Sequence, residues 1–291
     1  MWWTSLARFW TIVGCMLLLT SVLASANGRE DGTLRVVTYN IRHALGMDGV
    51  LDLERIGAVL LAIRPDVVAL NEVDQGLLRS RRVDQARALA EQLGMHYAFG
   101  PNLRFLGGAY GNAILSRFPI RSHENVHLKA KGREQRGLLH AVLDVDGAPL
   151  HVLTTHLEVR LPEIRDAQIT EIAEYVRLLD GPVVLMGDFN SDAGMPKLAF
   201  PTLQDAWVVQ RHYFPEAVGV SDGASQVGSP TFPSRSPTKR IDYIFVSDHL
   251  LPTGPRSVRT IASDASDHLP LVADLKLAAE PYVTVWGPGG T

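Results

Sequence analysis

Residues 183–190, VVLMGDFN, give the clearest indication of the fold. Val183–Met186 are all apolar, which is typical of a short strand buried on both faces. Gly187 permits a tight exit from that strand, and Asp188 and Asn190 project towards the same ligand if the chain stays extended. A turn that uses both residues only as turn formers is the alternative. The segment predicts a buried strand that ends in a polar site.

Five other polar motifs lie at the ends of apolar runs. They are Thr38-Tyr39-Asn40, Asn71-Glu72, Thr155-His156, Ile241-Asp242-Tyr243 and Ser266-Asp267-His268. Because such runs are typical of buried strands, we expect their polar ends to converge at one rim. Asp, Glu, Asn and His brought together form a site for a hard cation with acid and base groups beside it. This combination indicates metal-assisted hydrolysis of a phosphate ester.

Four residues of these motifs have candidate roles in that chemistry. Glu72 is the best single metal ligand, with Asn40 beside it, because Mg²⁺ takes oxygen ligands and is typically held by one or two carboxylates. A solvated glutamate and a turn asparagine are the ordinary alternatives. A buried Asp242 that accepts a hydrogen bond from His268 would favour the charged ring, which suits a group facing a phosphate.

Four further residues are candidates at the same rim. Arg136 begins a predicted strand and can clamp a phosphate, unless it is a solvated charge of a basic stretch. His156 is either a site residue or a strand-end histidine satisfied by its neighbours. Tyr110 and Asn112 follow a glycine pair in a loop near the rim. The sequence has no P-loop, no G-x-S-x-G, no H-E-x-x-H and no cysteine-based metal site.

The apolar periodicity predicts a mixture of strands and helices. Strands are expected at 34–41, 67–70, 113–115, 138–145, 150–154, 183–186, 241–246 and 269–275, and helices at 53–63, 85–93 and 164–179. Hairpins and helical crossovers both occur, which favours mixed sheets covered by helices. The irregular stretch 214–237 is long for a loop in a compact domain and is expected to be functional.

The N-terminal segment predicts export. Residues 1–26 combine one positive charge, an apolar stretch and a small-residue site ending at Ala26, which is typical of a signal peptide. An uncleaved membrane anchor and, because of Cys15, a lipoprotein are the alternatives. We expect a catalytic domain at 27–278 and a flexible tail at 279–291. The mature chain is expected to be a periplasmic or secreted monomer without a transmembrane span.

Composition and charge limit the class of protein. The chain of 291 residues is 46% hydrophobic and 20% charged, an ordinary globular composition. Cys15 is its single cysteine, so the mature chain would have no disulfide. Loss of the signal segment with Arg8 changes the net charge from −3 to −4. An acidic chain is not a general nucleic-acid binder, although basic patches remain at 79–82 and 129–136.

In this order, the motifs resemble the endonuclease/exonuclease/phosphatase superfamily from about residue 34 to 275. That group includes pancreatic-type deoxyribonucleases, abasic-site endonucleases, neutral sphingomyelinases and inositol-polyphosphate 5-phosphatases. Residues 71–74 (NEVD), followed by Asp84-Gln85 and by 110–117 (YGNAILSR), are most similar to its bacterial metal-dependent hydrolases. The resemblance implies an α/β fold, a four-layer α/β sandwich of two packed mixed β-sheets flanked by helices.

The resemblance also implies roles for the metal and the attacking water. Asn40, Glu72 and Asp267 would hold Mg²⁺, with Mn²⁺ as a substitute. Asp188 would orient or deprotonate the water. Asn190 would bind the phosphate and position that water.

The remaining roles concern the phosphoryl group. The pair of Asp242 and His268 would face its oxygens, and His156 would stabilise developing charge or assist the leaving group. One departure is Asp74, two residues after Glu72, where several nuclease branches carry a basic residue. An acid at that position is expected to repel nucleic-acid phosphates.

These observations predict an exported phosphoesterase in which water attacks phosphorus in line. A phosphodiesterase acting on lipid head groups or other small phosphodiesters fits the export signal, the acidic mature chain and Asp74. A secreted endonuclease or exonuclease acting on DNA or RNA is the second class, favoured by the local basic patches. A non-enzymatic binding module is the third, although a complete acid, base and metal set has no obvious binding-only use.

Overall fold

Two mixed β-sheets packed face to face form the centre of the computed structural model, which describes residues 32–192, 200–215, 228–278 and 280–282. The chain divides into two units, Met1–Thr33 and Leu34–Thr291, and the second carries the sheets. The expected signal peptide lies outside the described residues. So do residues 216–227 of the expected functional loop and most of the expected tail.

The first sheet contains seven strands of the described chain. They are β1 (Thr33–Asn40), β2 (Val67–Gln75), β3 (His96–Phe105), β4 (Gly108–Ser116), β11 (Leu250–Pro252), β12 (Val258–Thr260) and β13 (Leu271–Leu277). Their order is β11-β13-β1-β2-β4-β3, and β12 also pairs with β13. β1 and β2 are parallel, with Asn40 opposite Asn71. The parallel pair therefore brings both polar residues to one rim.

The second sheet contains six strands of the described chain. They are β5 (Ile120–His127), β6 (Gly137–Val145), β7 (Ala148–His156), β8 (Val183–Asp188), β9 (Gln204–Asp205) and β10 (Asp242–Val246), in the order β5-β6-β7-β8-β10-β9. In the parallel pair of β7 and β8, His156 lies opposite Asp188. In the antiparallel pair of β8 and β10, Asp242 lies opposite Asp188. Three polar residues therefore stand at one level on adjacent strands.

Three helices of the described chain cover the outer faces of the sheets: α1 (Leu53–Ile63), α2 (Gln85–Leu93) and α3 (Pro162–Val176). A fourth, α4 (Ala206–Tyr213), packs instead into the core between the sheets. α1 and α2 pack on the first sheet and α3 packs on the second. Asp52 and Asp84 cap α1 and α2 by accepting the backbone N–H groups of Arg55 and Arg87. None of the helices in the described ranges has the length and apolar character needed to cross a bilayer.

Alternate residues of one strand bury opposite faces of its sheet. Val36, Ala69 and Val184 pack between the two sheets, whereas Val37 and Val68 pack beneath the helices. Because both faces are buried, the central strands are apolar throughout instead of alternating with polar residues. The expected four-layer sandwich of helices, sheet, sheet and helices is confirmed.

The strand that carries Glu72 differs from the sequence expectation. β2 runs to Gln75 instead of ending at Leu70, and a β-bulge shifts its register to β4 between Leu70 and Val73. Glu72 therefore lies inside this bulge with a positive φ of 58°, and the expectation that it follows the end of the strand is wrong. A bulge re-aims a side chain without ending the strand, so apolar periodicity does not reveal it.

A row of hydrogen-bonded polar side chains lies on the outer face of the second sheet, away from the strand ends. The His140 ring contacts the Tyr175 hydroxyl at 2.8 Å and Nδ1 of His151 at 2.9 Å. The Tyr175 hydroxyl in turn donates to Glu124. Burial lowers the pKa of His140 to about 4, and repulsion from His151 adds to this shift. His140 is therefore neutral in the folded protein near neutral pH.

Candidate active site

The polar strand ends form one open cleft of about 580 Å³. Eight of the expected site residues line it: Glu72, Tyr110, Arg136, His156, Asp188, Asn190, Asp267 and His268. Asn40 and Asp242 lie directly behind this lining and are hydrogen-bonded to it. Asn112 is the one expected residue that the fold places elsewhere. Motifs that are far apart in the sequence thus meet in a single cleft.

Asp188 is the centre of the contacts in this cleft. Its Oδ2 accepts a hydrogen bond from Nδ2 of Asn40 at 3.1 Å. Nε2 of His156 lies 3.5 Å from the same oxygen, and Nε2 of His268 lies 3.6 Å from it. Oδ1 accepts the backbone N–H of Asn190 at 3.0 Å. Burial raises the pKa of Asp188, although attraction to His268 opposes the rise.

Of the two histidines beside Asp188, His268 is positively charged and His156 is neutral. His268 donates from Nδ1 to Oδ2 of Asp242 at 2.8 Å. Burial lowers the pKa of His268, but the carboxylates of Asp242 and Asp188 outweigh burial and raise this pKa to about 10. For His156, burial lowers the pKa, and repulsion from Arg136 and His268 lowers it further. One carboxylate oxygen therefore faces a charged ring and a neutral ring.

Glu72 and Asp267, with Asn40 beside Glu72, could hold a divalent cation. Glu72 Oε1 accepts from Nδ2 of Asn40 at 3.1 Å, and Oδ1 of Asn40 accepts the backbone N–H of Arg42. Burial raises the pKa of Glu72, the Asn40 hydrogen bond opposes this, and repulsion from Asp267 adds to it. Two carboxylates that repel each other are oxygen donors of the kind that Mg²⁺ takes, whereas Asn40 turns its Nδ2 towards Glu72 and its Oδ1 towards the Arg42 backbone. The residues present therefore fit the expected metal.

A second group also has metal-ligating atoms close together. Among the described residues, ligand atoms of Asp188, Asp242 and His268 lie within 4.8 Å of one another. One of these contacts is the 2.8 Å hydrogen bond between His268 and Asp242, which requires a proton between the two atoms. Imidazole is also less suited to Mg²⁺ than carboxylate is. The oxygen donors around Glu72 are therefore the better magnesium site, and the second group suits proton transfer.

Arg136 and Tyr110 form one wall of the cleft. The Arg136 side chain is almost fully buried, and one of its terminal nitrogens lies 3.0 Å from Oε1 of Glu134. Its Nε has no hydrogen-bond partner among the described residues. Burial raises the pKa of the Tyr110 phenol, and repulsion from Glu72 adds to this. A buried guanidinium with an unused donor suits an anionic substrate group.

Asp74 does not repel anions, and the expectation that it would is wrong. Its side chain is fully buried, and its two oxygens accept hydrogen bonds from Nε and Nη2 of Arg79 at 2.8 and 2.7 Å. The short helical turn at Leu78–Ser80 brings Arg79 back onto Asp74. The pair is neutral overall, and Arg79 itself stays partly exposed. Asp74 therefore gives no reason to exclude a nucleic-acid substrate.

Asn112 belongs to a polar network between the sheets. Its Oδ1 accepts from Nδ2 of Asn71 at 2.9 Å, and its Nδ2 donates to the Gly137 carbonyl at 3.2 Å. Asn71 also donates to the Thr155 carbonyl and accepts the backbone N–H of Asp188 at 3.0 Å. Asn71 thus fixes the backbone of Asp188 from the opposite sheet. Its place next to Glu72 was the only sequence signal for this role.

The segment from Gly228 to Ile241 supplies lining residues that sequence reasoning did not name. Its Phe232 ring lies 4.9 Å from the His268 ring, and Lys239 lines the same cleft. Oγ1 of Thr231 accepts the backbone N–H groups of Ile241 and Asp242. Glu134, Val159 and Asp192 also line the cleft. The length of the irregular stretch predicted a functional loop but could not identify these side chains.

Comparison with known proteins places this fold and site in a family. The Endonuclease/Exonuclease/phosphatase family matches residues 37–268. The chain therefore belongs to this family, and the superfamily identified from the motifs is confirmed. It is accordingly a hydrolase of the phosphoesterase and nuclease type.

Three similar proteins illustrate the relationship. The uncharacterized protein YbhP of Escherichia coli (strain K12) is 32% identical over 196 residues, which are 65% of this chain and 72% of YbhP. The endonuclease/exonuclease/phosphatase from Beutenbergia cavernae DSM 12333 is 29% identical, with a TM-score of 0.65 over 84% of this chain and 72% of that chain. The mannosyl-6-phosphatase Bt3783 of Bacteroides thetaiotaomicron shares the fold at 21% identity, with a TM-score of 0.61 over 83% of this chain and 99% of that chain.

Proposed function

We propose that the protein is an exported, Mg²⁺- or Mn²⁺-dependent phosphodiesterase that acts on lipid head groups or other small phosphodiesters. The observation that carries this proposal is the Asp188 carboxylate, which lies in the cleft between a charged His268 and a neutral His156. Attack of water on a phosphate ester needs a base for the water proton, here the Asp188 carboxylate, and a positive charge near the phosphoryl oxygens, here the His268 ring. The nearby Arg136 supports binding of an anionic substrate.

The residues of the chain divide the work of hydrolysis. Asp188 takes a proton from the attacking water, and its orientation is fixed by Asn71 and by the backbone of Asn190. The Asp242 carboxylate holds His268 charged, so that its ring stabilises negative charge on the phosphoryl oxygens. Asn190 binds the phosphate beside the water. His156, which is neutral, assists the leaving group or the developing charge.

Glu72, Asn40 and Asp267 are the residues that would hold the metal. A bound divalent ion supplies charge that polarises a phosphate oxygen. The like-charge repulsion between Glu72 and Asp267 supports a cation at this place.

The net negative charge of the protein favours a small ester over nucleic acid as the substrate. The chain has a net charge of −3, and an acidic protein binds the nucleic-acid backbone poorly. A nuclease remains the second candidate, because Arg79 cancels the charge of Asp74 and is itself partly exposed. A duplex binder making 6 to 10 phosphate contacts loses about 10³- to 10⁵-fold in affinity between about 50 and 200 mM salt. Salt dependence therefore separates the two substrates.

One panel assay tests the reaction and the substrate class. The protein with Mg²⁺ is given a chromogenic phosphodiester, a chromogenic phosphomonoester, sphingomyelin, phosphoinositides and supercoiled plasmid across that salt range. We expect hydrolysis of small or lipid diesters and no plasmid nicking. Nicking at low salt that disappears at high salt, with every small ester untouched, would move the nuclease to first place. Asp188→Asn serves as the inactive control.

Export is tested separately from activity. The chain is expressed with its own N-terminal segment, and the cells are fractionated into periplasm, membrane and cytoplasm. N-terminal sequencing of the recovered protein should begin at Asn27. Recovery in the membrane fraction with an intact N-terminus would select the uncleaved anchor.

A further inference from the structure

Two neighbouring loops at the edge of the cleft expose large apolar side chains to water. Leu78 lies on the short helical turn after β2 and is 66% exposed. Leu106 lies at the tip of the hairpin between β3 and β4 and is 80% exposed, more than any other large apolar residue of the described chain. Phe105 beside it is 38% exposed. These side chains contribute little to the core, so their apolar surface needs another explanation.

The two loops are in direct backbone contact. A Cβ atom at Gly108 would lie 2.5 Å from the Gln75 carbonyl oxygen and 2.8 Å from the Leu77 nitrogen, so no side chain fits between the loops. Arg79 bridges them as well, because its guanidinium lies 6.0 Å from the centre of the Phe105 ring. The hairpin tip and the helical turn therefore form one continuous surface.

This surface adjoins the cleft through Tyr110. The Arg79 guanidinium lies 5.3 Å from the centre of the Tyr110 ring, and Tyr110 lines the cleft together with Glu72. The salt bridge to Asp74 fixes Arg79 between the apolar tip and the cleft wall. A large body that rests on the tip would therefore lie beside the opening of the active site.

The same two loops are basic, although the chain as a whole is acidic. Arg79, Arg81, Arg82 and Arg104 are exposed there, within a protein of net charge −3. Arg79 is paired with Asp74, whereas the other three form no ion pair within the described part of the chain. Apolar side chains that protrude among arginines are complementary to a lipid surface with anionic head groups. A nucleic acid would use the arginines but would gain nothing from an exposed Leu106.

We propose that Leu78, Phe105 and Leu106, with the four arginines, form a docking surface that seats the protein on an anionic lipid bilayer with the cleft facing the head groups. The proposal rests on the proposed function for its use, since docking would bring a lipid phosphodiester to the site. The apolar tip would insert between head groups, while the arginines remain at the level of the phosphates. Each arginine near an anionic leaflet strengthens binding by roughly fivefold.

The test is sedimentation of the full chain with vesicles of phosphatidylcholine, with and without phosphatidylglycerol. The double variant Leu78→Asp/Leu106→Asp removes the apolar tip, and Arg81→Ser/Arg82→Ser removes two charges. The matched controls are Leu178→Asp, at a residue 77% exposed, and Arg177→Ser, both at the C-terminal end of α3. Every variant keeps residues 1–26, so any vesicle binding by that segment is the same in all of them. Circular dichroism checks that each variant is folded.

We expect the wild type to prefer the anionic vesicles. The apolar double variant should bind them at least tenfold more weakly, and the arginine double variant about 10- to 25-fold more weakly. Both controls should bind like the wild type. Equal binding by all variants would overturn the proposal. Equal binding of the wild type to neutral and anionic vesicles would also overturn it. So would the finding that the wild type is a dimer and the Leu106→Asp variant a monomer.

Vesicle binding requires no turnover, so this test is independent of the proposed function. If the wild type binds anionic vesicles through this surface but hydrolyses no ester of the panel, the proposed function fails and the docking surface stands. If it hydrolyses soluble diesters while the variants bind vesicles normally, the docking surface fails and the proposed function stands.

Discussion

Replacement of Asn71 by alanine should lower both stability and turnover, because this one side chain joins the two sheets and holds Asp188. The Asn71→Ala change removes the hydrogen bonds to the Asp188 backbone N–H, to Oδ1 of Asn112 and to the Thr155 carbonyl, and all three residues are buried. A buried polar group left without a partner costs about 1–3 kcal/mol, so the loss at three groups should lower the free energy of unfolding by about 3–9 kcal/mol. Because Asp188 loses a constraint on its position, kcat should fall by about 10- to 100-fold with little change in KM.

Asn112→Ala is the matched control for this prediction. It disturbs the same network but leaves the hydrogen bond between Asn71 and Asp188 in place. The Gly137 carbonyl and the Asn71 amide each keep another partner, so the expected effect is the loss of two hydrogen bonds worth about 0.5–1.5 kcal/mol each. The free energy of unfolding should fall by about 1–3 kcal/mol, with kcat close to wild type. Urea unfolding and steady-state kinetics on a small phosphodiester measure the two quantities. Equal loss of kcat in both variants, or unchanged kcat in Asn71→Ala, would refute the positioning role.

Three further predictions concern the metal, the charged histidine and pH. Activity should vanish in EDTA and return with Mg²⁺ or Mn²⁺ without Zn²⁺, and Glu72→Gln should raise the Mg²⁺ concentration for half-maximal rate; full activity in excess chelator contradicts the metal site. His268→Ala should lower kcat by about 10²- to 10⁴-fold and Asp242→Asn by less, whereas the control His249→Ala, whose ring contacts Asp248 away from the cleft, should leave kcat unchanged. The pKa of His140 is about 4 in the folded protein and 6.5 ordinarily. Between these two pH values, His140 is protonated in the unfolded chain but not in the folded protein. The free energy of unfolding should therefore fall as pH drops through this range, by about 1–2 kcal/mol more in the wild type than in His140→Gln, after allowance for solvent screening; parallel pH profiles from urea unfolding would contradict this.

The sequence was sufficient to identify the fold family and most of the cleft lining. Strand ends that carry Asn40, Asp188 and His268 follow apolar runs, so they could be placed on one rim before any distance was known. β5 was missed because its residues are mainly polar and exposed, as on an edge strand, and give no apolar pattern. The geometry of Glu72 was missed because a bulge changes register without changing composition.

Side-chain pairing was the other limit of the sequence analysis. Asp74 and Arg79 are five residues apart and come together only because the chain turns back at Leu78–Ser80. Read as an isolated charge, Asp74 suggested repulsion of phosphates. Asn112 was placed near the cleft because of its neighbours in sequence, but it lies on the face of β4 that meets the second sheet. Which face a strand residue occupies depends on register, and register is a tertiary property.

The ladder of β7, β8 and β10 gives the hydrolytic centre the stiffness of the sheet. His156, Asp188 and Asp242 occupy matched positions on three hydrogen-bonded strands, so their spacing is set by backbone pairing and not by loops. The walls of the cleft come instead from Tyr110 on the β3–β4 hairpin, from Glu134 and Arg136 before β6, and from the segment that carries Phe232 and Lys239. Insertions or exchanges in these walls would alter which ester enters without moving the reacting groups. The fold therefore separates reacting residues held on paired strands from substrate-binding walls that lie outside the ladder. Exchanging these walls between relatives is a direct route to new substrate specificities.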